Sequence, residues 1–288
     1  MRDFPTDDKS QFERIFVDWL AKPRMDEPHM SVTRRANTIK QPRGGYVKRL
    51  DFKETPLGPG EEGLHECENI HATLIGLAVD YLTRYVLTGD VKDAFKISLL
   101  GAQNIGEVET AERLVRGVKK GIKDLDDQSI INAVKLSGFD VCCRSSVLGY
   151  TPVSLIRPNT DTIENIRIMV QRTLNFFELY GPLVLSGFTF KGGYTKIIAS
   201  GDADYLTEDT LWDLKVLKNY INKNHIMQLL IYWRMGLCSD YETFKNVKFL
   251  GIYNPRQNKV FTYDLSKLSL EIIRIIDEEV IGYTEPLK

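Results

Sequence analysis

The chain reads as an α/β protein, a mixed β-sheet flanked by helices, with a further helical region placed ahead of that sheet or inserted into it. Three observations predict this. Residues 183–216 hold three runs rich in β-branched and aromatic residues, separated by turn residues. Residues 225–237, HIMQLLIYWRMGL, form an apolar stretch of helical length, and a strongly apolar strand pattern follows at 247–253. Residues 91–136 carry apolar residues at helical spacing with few strand signals.

Taken in order, residues 1–66 predict an N-terminal helix and a basic, poorly periodic linker. Between Ser31 and Lys53 lie Arg34, Arg35, Lys40, Arg43, Lys48, Arg49 and Lys53 against the single acid Asp51. Such a flexible arm either contacts phosphates, with salt-sensitive and sequence-independent affinity, or is simply solvated. The acidic run Glu61, Glu62 and Glu66, with His65 and His71 close by, reads as a charged helix start rather than a ligand cluster. Residues 67–158 form a helical region, cap or insertion, with helices at 91–102, 107–123 and 128–136. Residues 159–288 hold the sheet. A helix at 161–179, capped by Asp161, precedes strands at 183–190, 194–206 and 210–216. After the helix at 225–237 come a strand at 247–253, a turn around Asn254 and Pro255, a strand at 259–263 and a closing helix at 268–281.

Composition narrows the class. With 288 residues, 43% hydrophobic and 27% charged, the chain can bury a large core and matches an ordinary globular protein. The net charge of −1 supplies no global field for nucleic acid, so any such attraction is local. No apolar run reaches the length of a membrane span, and the first eight residues lack the apolar core of a signal peptide, so a cytoplasmic location without membrane partners is expected. Cys67, Cys142, Cys143 and Cys238 show no C-x-x-C spacing, which argues against a zinc or iron–sulfur site. The absence of a Gly-rich phosphate loop or helicase motif excludes an ATP-driven motor in this stretch of sequence.

The chemistry concentrates in GDADYLTEDTLWDLK, residues 201–215. Strand alternation puts Asp213 and Lys215 on one face and Trp212, Leu214 and Val216 on the other. A turn at Thr207, Glu208 and Asp209 folds this strand back on the previous one and brings Asp204 beside Asp213. Two carboxylates and an ammonium then converge, a set suited to a hard divalent cation and to attack on a phosphodiester. In the next helix Gln228 and Tyr232 are four apart and share a face.

Asp204, Asp213-x-Lys215 and Gln228-x-x-x-Tyr232, in this order, resemble the PD-(D/E)XK nuclease superfamily and especially its RecB-like branch. The resemblance covers roughly residues 160 to 265 and implies a restriction-endonuclease-like core of helix, three strands, helix and strand. It implies a Mg²⁺- or Mn²⁺-dependent deoxyribonuclease acting on single- or double-stranded DNA, an exonuclease or an endonuclease, with phage, defence or recombination enzymes as analogues. Asp204 and Asp213 would hold the metal, with the Leu214 carbonyl as an extra ligand. Lys215 would orient the attacking water, and Gln228 and Tyr232 would support the site or the DNA backbone. The further acid expected of the family is either Glu178 or Asp80. Asp80 lies in IGLAVDY, residues 75–81, which looks like the early RecB-like helix except that Asp stands where the metal-binding His would be. If Asp80 is the ligand, the core begins near residue 68 and residues 90–158 are an insertion; if Glu178 is, the N-terminal half is a separate helical domain. Tyr205, Trp212 and Trp233 read either as base-stacking groups or as core, Trp212 by alternation as core. Other readings are a nuclease-fold protein that binds DNA without cutting it, or an interaction protein dependent on a protein partner or on a second copy of itself.

Overall fold

Thr207 ends one strand and Thr210 begins the next, so the turn between them has only Glu208 and Asp209 to reverse the chain. This tight hairpin joins two neighbouring strands of the sheet in the computed structural model, which describes residues 30–121 and 125–284; the expectations for residues 1–29 and 122–123 lie outside the described residues. The strands are β1 (Met30–Ser31), β2 (Lys53–Pro56), β3 (Leu183–Thr189), β4 (Ile198–Ser200), β5 (Asp202–Thr207), β6 (Thr210–Leu214), β7 (Phe249–Asn254) and β8 (Lys259–Asp264). Six of them form one sheet in the order β2-β8-β7-β6-β5-β3. Every neighbouring pair is antiparallel except β6 and β7. That parallel pair needs a crossover, which the apolar stretch after β6 supplies as a helix.

The helices are α1 (Val32–Thr38), α2 (Ala72–Thr88), α3 (Val91–Ala94), α4 (Lys96–Asn104), α5 (Val108–Gly121), α6 (Asp127–Ser137), α7 (Asp140–Arg144), α8 (Thr160–Tyr180), α9 (Lys223–Leu237) and α10 (Leu270–Ile275). The sheet is thus mixed and flanked by helices, as the sequence predicts. Its two faces bury different chemistry. On one, Phe176 and Phe177 of α8 pack on Tyr205, Trp212 and Tyr253, with Phe176 stacked 4.3 Å from Tyr253. On the other, Leu229, Leu230 and Ile231 of α9 join Leu206, Leu211, Leu250 and Ile252. The helical region forms its own core from α2 to α7 together with Ile163, Ile166, Met169 and Val170 of α8. Helix α8 therefore belongs to both cores, its first half to the helices and its last turns to the sheet.

Several elements depart from expectation for local reasons. The strand expected over 194–206 is divided: β4 leaves the sheet to pair in parallel with β1, and β5 begins after Gly201. The helix expected over 91–102 breaks at Phe95, whose backbone (φ −104°, ψ 20°) turns its ring fully into the helical core. The cap of α8 is Asn159, not Asp161; its side chain accepts from the Thr162 N–H, and Asp161 sits in the first turn where the helix dipole favours a carboxylate. The closing helix passes from α10 into a π-helical turn, Ile276–Ile281.

The largest correction concerns the basic segment, which is ordered into the fold rather than a flexible arm. Ser31 caps α1, and Arg35 donates to the Val280 and Glu279 carbonyls at the end of the last helix. Helix ends leave carbonyls without partners, so a guanidinium there gains hydrogen bonds and a favourable dipole together. Further on, β2 extends the sheet edge along β8. Among the described residues no helix is long and apolar enough to cross a membrane.

Candidate active site

Strand pairing assembles the site. Tyr205 pairs with Trp212 and Leu206 with Leu211, so the hairpin register brings Asp204 to the level of Asp213 and Leu214. The Leu214 N–H donates to Asp204 Oδ2 at 2.7 Å, which fixes this carboxylate across the two strands. Lys215 Nζ donates to Asp213 Oδ1 at 2.9 Å. Asp213 Oδ2 lies 2.8 Å from the same ammonium but outside hydrogen-bonding geometry, so this buried oxygen has a charge beside it and no donor.

Burial first, then repulsion from Asp80, raises the Asp204 carboxyl to about 6, with Lys215 and Arg84 opposing. Burial likewise raises Asp213 to about 7; Lys215 works against this and Asp204 adds to it. Burial alone would lower the Lys215 ammonium, but Asp213 and Asp204 outweigh it and hold it above the usual range. Both acids are therefore easier to protonate than free carboxylates, chiefly because burial disfavours their charged form.

Helix α9 covers the same face. Asn222 caps it in a reciprocal capping box with His225, whose imidazole is pushed down to about 4 by burial and by Lys215. Gln228 Nε2 donates to the Tyr232 hydroxyl at 2.7 Å and to Thr33 Oγ1 of α1 at 3.2 Å. Burial and the charges of Asp202, Asp213 and Asp204 raise the Tyr232 phenol well above its usual value, which puts this pair beside the acidic cluster.

Of the two further acids, Asp80 reaches the site and Glu178 does not. Glu178 is exposed on α8, which covers the opposite face of the sheet through Phe176 and Phe177. Asp80 is buried on α2 and accepts the Tyr205 hydroxyl at 2.7 Å, but both its oxygens also face Arg84, at 3.0 and 2.6 Å. Arg84 continues to Asp204 Oδ1 at 3.2 Å, so a guanidinium stands between the two acids. Among the described residues no group of three or more His, Cys, Asp or Glu is arranged to hold a metal ion. What remains is a two-carboxylate set, Asp204 and Asp213, with one buried Asp213 oxygen that accepts no hydrogen bond, and carboxylate oxygens are the ligand type that a hard divalent cation takes. The aromatic residues offer no stacking surface: Tyr205, Trp212 and Trp233 are all buried.

Arg84 is the site residue that motif reading misses, although its i,i+4 spacing from Asp80 is the signature of a helical ion pair. Asp202 had a signal too, since it alternates with Asp204 onto the same strand face. Its partner Arg144 had none. Arg144 reaches Asp202 with two hydrogen bonds of 2.9 Å and also bonds Asp140, a pairing 58 residues apart in sequence.

No family model and no solved structure matches the chain. A stretch of 139 residues, 48% of the chain, is 23% identical to Dipeptidyl peptidase 3 of Dictyostelium discoideum. The match spans 19% of that protein's length, and at this identity and coverage it assigns no family. Zinc peptidases of the H-E-x-x-H type need two histidines on one helical face. Here His65 and Glu66 precede His71 at a longer spacing and outside any helix. His65 lies 4.0 Å from Asp161, and His71 Nδ1 caps α2.

Proposed function

We propose that this protein is a metal-dependent deoxyribonuclease with a PD-(D/E)XK-type core that hydrolyses DNA phosphodiester bonds. The observation that carries the reading is the convergence of Asp204, Asp213 and Lys215 from adjacent strands under the Gln228–Tyr232 face of α9. The order of elements agrees: helix α8, the antiparallel strands β3, β5 and β6, crossover helix α9, then β7 parallel to β6.

Mg²⁺ or Mn²⁺ held by Asp204, Asp213 and the Leu214 carbonyl would supply a Lewis acid for the phosphate oxygen being attacked. The protein's own groups do the rest. Lys215, kept charged by two acids, orients the nucleophilic water and offsets charge that grows on the phosphate in the transition state. Tyr232 and Gln228 brace the cluster from the helix side and tie it to α1 through Thr33.

A cationic ridge beside the site supports a nucleic-acid substrate. The segment bearing Lys40, Arg43 and Lys48 lies against the start of α9, where Gln41 donates to Asn224 and Arg49 stacks 4.4 Å over Tyr220. Gly45, at φ +91°, lets the backbone come so close that an added Cβ would lie 3.0 Å from Lys223 Cβ. Lys223 thus joins the basic segment, Lys218 lies in the connection that follows β6 and Lys215, and such a set of cations suits phosphates whatever the sequence.

A second reading is favoured by Arg84: a nuclease fold that binds DNA without cutting it, because a guanidinium already engages Asp80 and one oxygen of Asp204. Cleavage of labelled linear and circular DNA, single- and double-stranded, with Mg²⁺, Mn²⁺ or EDTA separates the two. Metal-dependent cutting lost in Asp213→Ala and Lys215→Ala is the expected result. Intact binding without cutting under any metal would refute the enzyme and leave the binding role.

A further inference from the structure

The Arg84 side chain is seated in a place shaped for it. Its guanidinium meets Asp80 on one side and Asp204 on the other, and lies 5.5 Å from the Tyr205 ring centroid and 5.7 Å from that of Tyr81. On the sheet side the cradle depends on Gly187 of β3: a Cβ there would overlap Arg84 Nη1, and the residue adopts φ +54°, a conformation that side chains disfavour. Lys96 donates to the Gly187 carbonyl at 2.6 Å and pins this strand position from the helical region. A surface arginine that drifts onto an acid has no such fittings.

The arrangement decides where further charge can go. Both oxygens of Asp80 are taken, by Arg84 and by the Tyr205 hydroxyl. Asp204 gives Oδ1 to Arg84 and Oδ2 to the Leu214 N–H, and each oxygen, with one such donor, retains a further lone pair. Asp213 has the buried oxygen without a donor. We propose that the Arg84 guanidinium is a resident cation filling the position between Asp80 and Asp204, so that the site takes one divalent ion, held by Asp204 and Asp213, and never two. The proposal rests on the nuclease reading and deepens it. Asp80 is then no metal ligand but the anchor of Arg84, and Arg84 is a positioning residue acting through Asp204.

Calorimetric titration of the full chain with MnCl₂ alone, checked by the electron paramagnetic resonance signal of free Mn²⁺, counts ions without any need for cleavage. The wild type is expected to bind one ion per chain, and Arg84→Met, which frees Asp80 and half of Asp204, to bind two. Arg84→Lys, which restores a cation, should return to one. A role confined to stability would not move the stoichiometry or be rescued in this way. If Arg84→Met does not fold, Arg84→Gln keeps a hydrogen bond to Asp80 without the charge and is expected to bind two. Two ions in the wild type, or one in a folded Arg84→Met or Arg84→Gln, would overturn the resident cation and leave the nuclease reading standing. No ion in the wild type would overturn both.

Discussion

Two arginines leave the helical region to grip the same strand, two residues apart, and they do so under opposite conditions. Arg84 on α2 is only 4% exposed and sits between Asp80 and Asp204. Arg144 on α7 keeps 40% of its side chain exposed and sits between Asp140 and Asp202. The sequence of partners is alike, acid of the helices, arginine, acid of β5, but Arg84 holds both oxygens of its helical acid and Arg144 both oxygens of its strand acid, and the exposure of the guanidinium differs. In the buried bridge every missing partner leaves a charge that water cannot reach, whereas at Arg144 water reaches the guanidinium and Asp202, and only Asp140 is buried. One bridge can therefore set the chemistry of Asp204, and the other mainly fastens the helical region to the sheet.

The strongest way to break this contrast is to remove the anchor of the buried bridge. Asp80→Ala should destabilise the protein by about 3–5 kcal/mol, the usual cost of leaving a buried charge half paired. Denaturant unfolding measures it, and a loss below about 1 kcal/mol would mean that water reaches Arg84 after all.

Next in size is the pH response of the acids beside that bridge. Asp213 and Asp204 are raised to about 7 and about 6 in the folded protein, so they favour the fold while protonated. That stabilisation is complete below the ordinary carboxylate range and is lost as pH rises from about 4 through about 7. Relative to Asp213→Asn, the wild type without metal should lose on the order of a few kcal/mol of stability across this window, read as a falling Tm. If the proposed metal site is right, Mg²⁺ should reverse the loss at pH 8 by binding the ionised acids. Parallel Tm curves for the two proteins would refute the assignment.

Arg144→Ala should cost less, about 1 kcal/mol, and the cost should shrink in molar salt, whereas the Asp80→Ala effect should barely respond to it. A double-mutant cycle with Asp202→Ala isolates the exposed bridge.

The smallest effect on stability belongs to charge with no buried partner. Lys218→Glu combined with Lys223→Glu should leave unfolding within about 0.5 kcal/mol of the wild type. DNA affinity in EDTA should nonetheless fall several-fold, with a shallower dependence on salt. Unchanged affinity would take the ridge out of the substrate path.

These contrasts mark what could be read in advance. The hairpin, the crossover helix, and the grouping of Asp204, Asp213 and Lys215 were legible because they follow from alternation, a short turn and residues within twelve positions of one another. Trp212 was assignable to the core by the same alternation. Glu178 and Asp80 were not separable, since each needed a helix placed against the sheet, and helical periodicity says which residues share a face but not what that face meets. The basic segment misled for a related reason: its poor periodicity hid a seven-residue helix and an edge strand that exist only because Val280 and β8 give them partners.

Local sequence thus determined the mixed sheet, the helices on either side of it and the acidic hairpin, because strand alternation, helical spacing and turn chemistry act over a few residues. Tertiary structure alone decided that Arg84 reaches across to Asp204, that Arg144 crosses to Asp202 and that Gly187 clears the space for the Arg84 guanidinium. Those pairings join residues 58 to 120 positions apart, where nothing in the local pattern specifies which charges will lose their water together.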